Sequence, residues 1–371
     1  MDLEDVISKI SGAQHPEDLF GKLTGTRDEM LVLLRAEHRQ LRRIVNPVLF
    51  ADPQTKAAVQ KIFDQLEAFL SEAEDKIGRG VYGQRTVRLE TSGWRVVKNG
   101  QTEYKVELKP FASGDICDLY RAVATGSHEH LVFKIAKVVA DNDLVQNEAR
   151  VIKHIRNNKD FERLLMYVPE LFDSFKERGK QVNILKLLEG FYTLKEIREH
   201  YRQGVDPKDA AWMARRLLIA LGLFTANGAV YGATTPEHIM IHPDHGLVLV
   251  DCSYGVIAPA KTGERISAIP VAYENWYPPE VKTKRMPTPA TDLYMAAECM
   301  LYVMGGNPMT GFIPNTVPQE IQEFFRRCLK TSINDRPQEP WDLFNEFTRL
   351  IEKLWGPRKF RPFFMPDKIN P

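Results

Sequence analysis

Apolar positions along the chain change their period twice, and the changes divide it into parts. Between Thr26 and Val45 they return every three or four residues, with Met30, Leu31, Leu34, Leu41, Ile44 and Val45 on one stripe, as on an amphipathic helix. Thr26 followed by Glu29 is a capping-box signature for its start, and Asn46-Pro47 predicts its end. A second helix is expected from about Thr55 to Ile77, with Val59, Ile62, Phe63, Leu66, Phe69, Leu70 and Ala73 on its inner face. The pair forms an antiparallel hairpin. Residues 78–102 hold five glycines and little helical period, the composition of a connector or of added strands. From Tyr104 the period is that of strands, in YKVELKPF, DICDLYRAVA and HLVFKIAKVV. After Asp206 it turns helical again: Asp206-Pro207 is a helix start, Trp212, Met213, Leu217, Leu221 and Phe224 give a core face, and Asn227-Gly228 ends it. The pattern predicts an α+β chain in which a small helical unit precedes a small β-rich lobe and a larger helical lobe.

One strand carries a charge on an apolar face. In HLVFKIAKVV, Val132, Lys134, Ala136 and Val138 share a side, so the Lys134 ammonium needs an anion there. The next helix buries Leu144, Val145, Val151, Ile152 and Ile155, and Glu148 falls on the same stripe. Taken alone, the two residues read as a structural ion pair.

Composition bounds the rest. At 371 residues the chain is long enough for two or three units, and 43% hydrophobic with 27% charged residues is ordinary globular usage. Fifty basic against forty-nine acidic side chains leave +1, so no global field draws nucleic acid or a membrane surface. Partners are then recognised locally, and a protein partner is expected. The basic run His38, Arg39, Arg42, Arg43 reads as a solvated helix face. Cys117, Cys252, Cys299 and Cys328 are scattered, which fits reduced thiols. With an acidic start, MDLEDVISKISG, and no apolar stretch of spanning length, a cytoplasmic protein is expected.

The order of elements over residues 103–355 resembles the protein kinase fold. Lys134 matches the phosphate-binding lysine of the third strand and Glu148 the glutamate that holds it. ASGDICDLY stands where the family has its glycine-rich phosphate loop, with Gly114 retained and Ala112 and Cys117 at the other two glycine positions. Asp251, in Asp251-Cys252-Ser253, takes the place of the metal-binding aspartate. Pro279-Glu280 matches the end of an activation segment, Asp292 the aspartate that anchors the catalytic loop, and Arg336 the arginine that pairs with the glutamate. The resemblance implies that Gly114, Lys134, Glu148 and Asp251 face a nucleotide. Residues of about 15–83 resemble a J-domain, the hairpin with which co-chaperones stimulate a heat-shock chaperone; its His-Pro-Asp loop reads Asn46-Pro47-Val48 here. The implied organisation is a degenerate J-domain-like unit over 1–83, a linker or added strands over 84–102, a kinase-like domain over 103–355 and a tail over 356–371.

The chemistry departs from the family at its centre. The motif H-R-D-x-x-x-x-N becomes Tyr231-Gly232-Ala233-Thr234-Thr235-Pro236-Glu237-His238, so Ala233 replaces the base. Loss of general base catalysis costs roughly 10²- to 10⁴-fold in rate. His238 replaces the asparagine that would hold a second metal ion; magnesium prefers hard oxygens, whereas imidazole suits zinc, copper, iron or nickel. Asp251 and His238 remain the candidate metal residues. His238, His242 and His245 are spaced suggestively, but on a loop, a strand and a turn they need not converge. The expectation is a pseudokinase that binds or scaffolds, with weak or absent ATP binding accompanied by magnesium or, preferably, manganese. The alternatives are an atypical nucleotide-using transferase, kinase or adenylyltransferase, and a co-chaperone-like adaptor acting through the hairpin.

Overall fold

The computed structural model describes residues 3–366 except positions 14, 51, 79, 81, 84–92 and 128. The chain divides into two units, Met1–Glu90 and Thr91–Pro371. The first holds α1 (Leu3–Gly12), α2 (Pro16–Phe20), α3 (Arg27–Ile44) and α4 (Pro53–Gly78). The capping box starts α3: Glu29 N–H donates to Thr26 Oγ1 at 3.4 Å and Thr26 N–H to the Glu29 carboxylate at 2.7 Å. Ion pairs Arg35–Glu74 and Arg42–Glu67 rise on one helix as they fall on the other, so α3 and α4 run antiparallel. Their stripes meet at Leu34, Leu41, Val59, Leu66 and Ala73, all buried.

Two features depart from expectation. The hairpin is not the whole unit, because two apolar stripes need more cover than each other, and Val6, Ile10, Leu19 and Phe20 from α1 and α2 supply it. The basic run is not wholly solvated either. Arg39, Arg42 and Arg43 are exposed, but His38 is buried beside Glu67 at 3.3 Å, and burial pushes its imidazole down. At the helix junction Asn46 Oδ1 accepts the Val48 N–H at 3.1 Å and caps the turn Pro47–Leu49.

The second unit opens with a sheet. Its strands are β1 (Trp94–Asn99), β2 (Thr102–Glu107), β3 (Ala112–Ser113), β4 (Cys117–Ala124) and β5 (His130–Ala136), then helix α5 (Asn142–Arg156), then β6 (Leu171–Glu177) and β7 (Lys180–Lys186). They pair in the order β1-β2-β4-β5-β7-β6, with β3 on β4, and every pairing is antiparallel. β1 lies within the stretch read as linker or added strands; residues 84–92 of that stretch fall outside the described residues. One sheet face buries Leu131, Phe133, Val182 and Ile184 in a cluster of its own. The opposite face of β5 offers Val132, Lys134 and Ala136 toward α5 and the helical region, as its alternation predicts.

The helical region follows: β8 (Tyr192–Thr193), α6 (Leu194–His200), α7 (Pro207–Ala226), β9 (Ala229–Val230), β10 (Ile239–His242), β11 (Gly246–Leu249), β12 (Val256–Ile257), α8 (Pro259–Thr262), α9 (Pro279–Lys282), α10 (Pro289–Val303), α11 (Gln319–Cys328) and α12 (Pro340–Trp355). β10 and β11 form a hairpin whose two ends carry His238 and Asp251, and β8 flanks it. The core of this region is built on α7 and α10. All four cysteines are free thiols and buried.

Residues past α12 are part of the packing. Arg361 pairs with Asp209 at 2.8 Å, and its carbonyl oxygen lies 2.8 Å from His245 Nε2. The His245 ring is sandwiched between Trp212 at 4.0 Å and Phe360 at 4.5 Å. Phe363 is buried against Tyr201, whose hydroxyl donates to the Phe364 carbonyl at 2.6 Å, and Tyr192 donates to that of Pro366 at 2.7 Å. The stretch read as a tail is, up to Pro366, a strap over β8, α7 and the β10–β11 turn.

Candidate functional site

Strand alternation and helix period bring Lys134 and Glu148 together, Nζ to Oε1 at 2.8 Å. Glu148 is fully buried and Lys134 is 4% exposed, so neither charge is solvated. A second carboxylate, Asp251 at the end of the β10–β11 hairpin, reaches Nζ at 3.0 Å through Oδ1. Burial alone would push the Lys134 ammonium down, but Asp251 and Glu148 hold it well above its usual range. Burial would likewise push the Asp251 carboxyl up, and the Lys134 ammonium overrides it, holding the acid well below the carboxylate range. Asp251 occupies the left-handed backbone region, φ 58° and ψ 67°, and its side chain caps the turn Cys252–Tyr254 through the Ser253 N–H at 3.3 Å. A non-glycine residue there stores strain, a feature of sites where geometry is over-determined.

Two asparagines complete the frame, and neither was singled out in the sequence. Asn183 on β7 donates to Glu148 Oε2 at 2.9 Å and to the Val145 carbonyl at 2.8 Å. Asn147 on α5 donates to the Ser253 and Gly255 carbonyls, both at 2.8 Å, and ties the helix to the segment after Asp251. The signal for Asn183 is one polar residue inside the apolar run VNIL; for Asn147 the helix period gives none, since its partners lie more than a hundred residues away.

Below lies the loop from Tyr231 to His238. The Asp292 carboxylate accepts N–H groups of Tyr231 at 2.7 Å and Gly232 at 2.8 Å, with the Thr234 hydroxyl at 3.3 Å. Gly232, at φ 71°, has no room for a side chain: a Cβ would meet the Tyr254 carbonyl at 2.7 Å. The loop so held keeps Ala233 fully buried. Glu237 is turned away and pairs with Lys195 at 2.5 Å. His238 lies beside Asp251, Nε2 to Oδ2 at 3.4 Å. His242 packs on Phe191 and His245 lies under the strap, so the three histidines have separate surroundings. Gly114 is exposed at the β3–β4 turn, and its N–H donates to the Cys117 carbonyl at 2.9 Å rather than pointing outward. The site therefore joins Lys134, Glu148, Asp251 and His238; Gly114 offers it no backbone donor.

A buried acid outside this cluster gives the unit a pH signature. Burial pushes the Glu298 carboxyl, on α10, up to about 7. Between the unfolded carboxyl's ordinary value and 7 the folded state binds more protons, so stability falls as pH rises through that window. Glu298→Gln should remove this group's share of the slope: equal melting at pH 4, and an advantage of about 3 kcal/mol at pH 8. Parallel melting curves from pH 4 to 8 for the two proteins would contradict it.

No family model matches the chain. A 169-residue stretch, 44% of the chain, is 25% identical to serine/threonine-protein kinase F of Synechocystis sp. and spans 34% of that protein's length. This distant similarity, with an antiparallel sheet followed by a helical region, is consistent with a kinase-like fold. Among the described residues no helix is long and apolar enough to cross a membrane.

Proposed function

We propose that the second unit is a kinase-fold binding or regulatory module that does not transfer phosphate efficiently. The observation that carries this reading is Ala233: in the loop held by Asp292, the residue that matches the base in sequence has no titratable group, and Glu237 of the same loop is paired with Lys195. Phosphoryl transfer depends on positioned charge and on an acceptor for the substrate hydroxyl proton. Lys134, Glu148 and Asp251 stand assembled without that acceptor. Nucleotide binds weakly beside Lys134, because the Gly114 N–H is taken by the Cys117 carbonyl and is not offered to phosphates. We assign the helical unit a docking role toward a protein partner. A chaperone contact through its loop has no support from Asn46, whose oxygen caps the turn.

Radiolabelled ATP, with γ and α label in separate arms and with magnesium or manganese, tests the reading. No label should pass to generic protein substrates or to the chain itself. The intact Lys134–Glu148–Asp251 chain favours one second reading, a nucleotide-using transferase. Transfer of α label abolished by Asp251→Ala would establish it, and transfer of γ label would restore a kinase.

A further inference from the structure

The loop that lacks a base still orients an imidazole. His238 Nδ1 lies 3.0 Å from the Ala233 carbonyl oxygen. That oxygen only accepts, so Nδ1 carries a proton and Nε2 is the ring nitrogen left to a metal ion. Histidines that ligate metals are fixed in this manner, the other ring nitrogen donating to a carbonyl or carboxylate. Nε2 stands 3.4 Å from Asp251 Oδ2, longer than the about 2.7–2.9 Å of a charge-assisted hydrogen bond. The other oxygen, Oδ1, accepts from Lys134 at 3.0 Å and from the Ser253 N–H at 3.3 Å. Oδ2 is thus the carboxylate oxygen that Lys134 and Ser253 leave to His238, and it faces Nε2 of the ring. Both side chains keep one edge in solvent, 18% and 16% exposed, whereas Lys134 and Glu148 behind them are closed off.

The separation of the two atoms selects among ions. Ligands about 2.1 Å from a tetrahedral ion lie about 3.4 Å apart. On the octahedral shell of magnesium, adjacent oxygens at about 2.1 Å lie about 2.9 Å apart. Ligand chemistry points the same way, since imidazole suits zinc-like ions and is a poor match for magnesium. Among the described residues no third His, Cys, Asp or Glu joins the pair. The remaining positions are then left to water or to the phosphate oxygens of a nucleotide.

We propose that Asp251 Oδ2 and His238 Nε2 form an N,O site for one first-row transition ion of the zinc or cobalt type, in place of magnesium. Only the phosphate ligands rest on the nucleotide reading above; the pair itself does not. The site replaces the manganese preference expected from the sequence with a preference for ions that bind imidazole.

Cobalt(II) added to the full chain, followed by its visible d–d absorption with and without ADP, reads the site directly. One equivalent should bind, be displaced by equimolar zinc, and resist a hundredfold excess of magnesium. His238→Asn should weaken cobalt binding at least tenfold and let magnesium compete, and Asp251→Asn should weaken it as much, each with an unchanged far-UV spectrum. Cobalt binding equal in the parent and in either folded variant would overturn the proposal. So would displacement by equimolar magnesium, or no binding in either the presence or the absence of ADP. Binding that ADP leaves unchanged supports the metal pair and overturns the nucleotide reading, so the two fail separately.

Discussion

Arg336→Ala should destabilise the second unit by about 3–5 kcal/mol, the cost of breaking a buried ion pair from one side. The Arg336 guanidinium meets both Glu280 oxygens, at 2.7 and 3.0 Å, donates to the Lys330 and Thr331 carbonyls, and lies 4.8 Å from the centre of the Tyr294 ring. Alanine leaves the Glu280 carboxylate buried with the Thr291 hydroxyl, at 3.1 Å, for company. Lysine restores the charge without the planar fork, so Arg336→Lys should recover less than half of the loss. All five tryptophans lie in the second unit, at positions 94, 212, 276, 341 and 355, so urea unfolding followed by tryptophan fluorescence isolates its transition. A shift under about 1 kcal/mol would mean that the pair is held by its surroundings and not the reverse.

The second large effect belongs to Glu148. Glu148→Gln keeps the volume and removes the charge, leaving Lys134 buried against Asp251 alone, and should cost about 3 kcal/mol. Asn183 keeps its bond to the Val145 carbonyl, so the loss reports the charge and not the collapse of the strand. A double-mutant cycle with Lys134→Met should return a coupling of at least about 1 kcal/mol. Additive effects would show that the 2.8 Å contact contributes nothing.

The pair was legible in the sequence because two local periods suffice to find it: alternation puts Lys134 on an apolar strand face, and helical spacing puts Glu148 on the inner stripe. Asp292 and Arg336 were legible only through resemblance, for no local pattern connects Asp292 to Gly232 or Arg336 to Glu280. Asn147 and Asn183 were invisible for the same physical reason, since their partners come from tertiary packing. The orientation of His238 is another such case. Its identity says only that an imidazole stands at this end of the hairpin, and the carbonyl of Ala233 at 3.0 Å says which nitrogen is engaged. In the first unit, α1 was missed because Val6 and Ile10 make too short a stripe to stand out in ten residues. The strap had no signal at all: RPFFMP has neither helical nor strand period, and its aromatics find their places only on a finished surface.

That strap also orders the events of synthesis. The bonds from Arg361 to Asp209, from Phe364 to Tyr201 and from Pro366 to Tyr192 span 152, 163 and 174 residues. On a growing chain the hairpin that holds His238 and Asp251 at its ends is made long before the ring of Phe360 exists to cover His245. Contacts of such sequence separation close late and slowly. Until then Trp212 and His245 present a bare aromatic face, the kind of surface that associates wrongly while a nascent domain waits for its last residues.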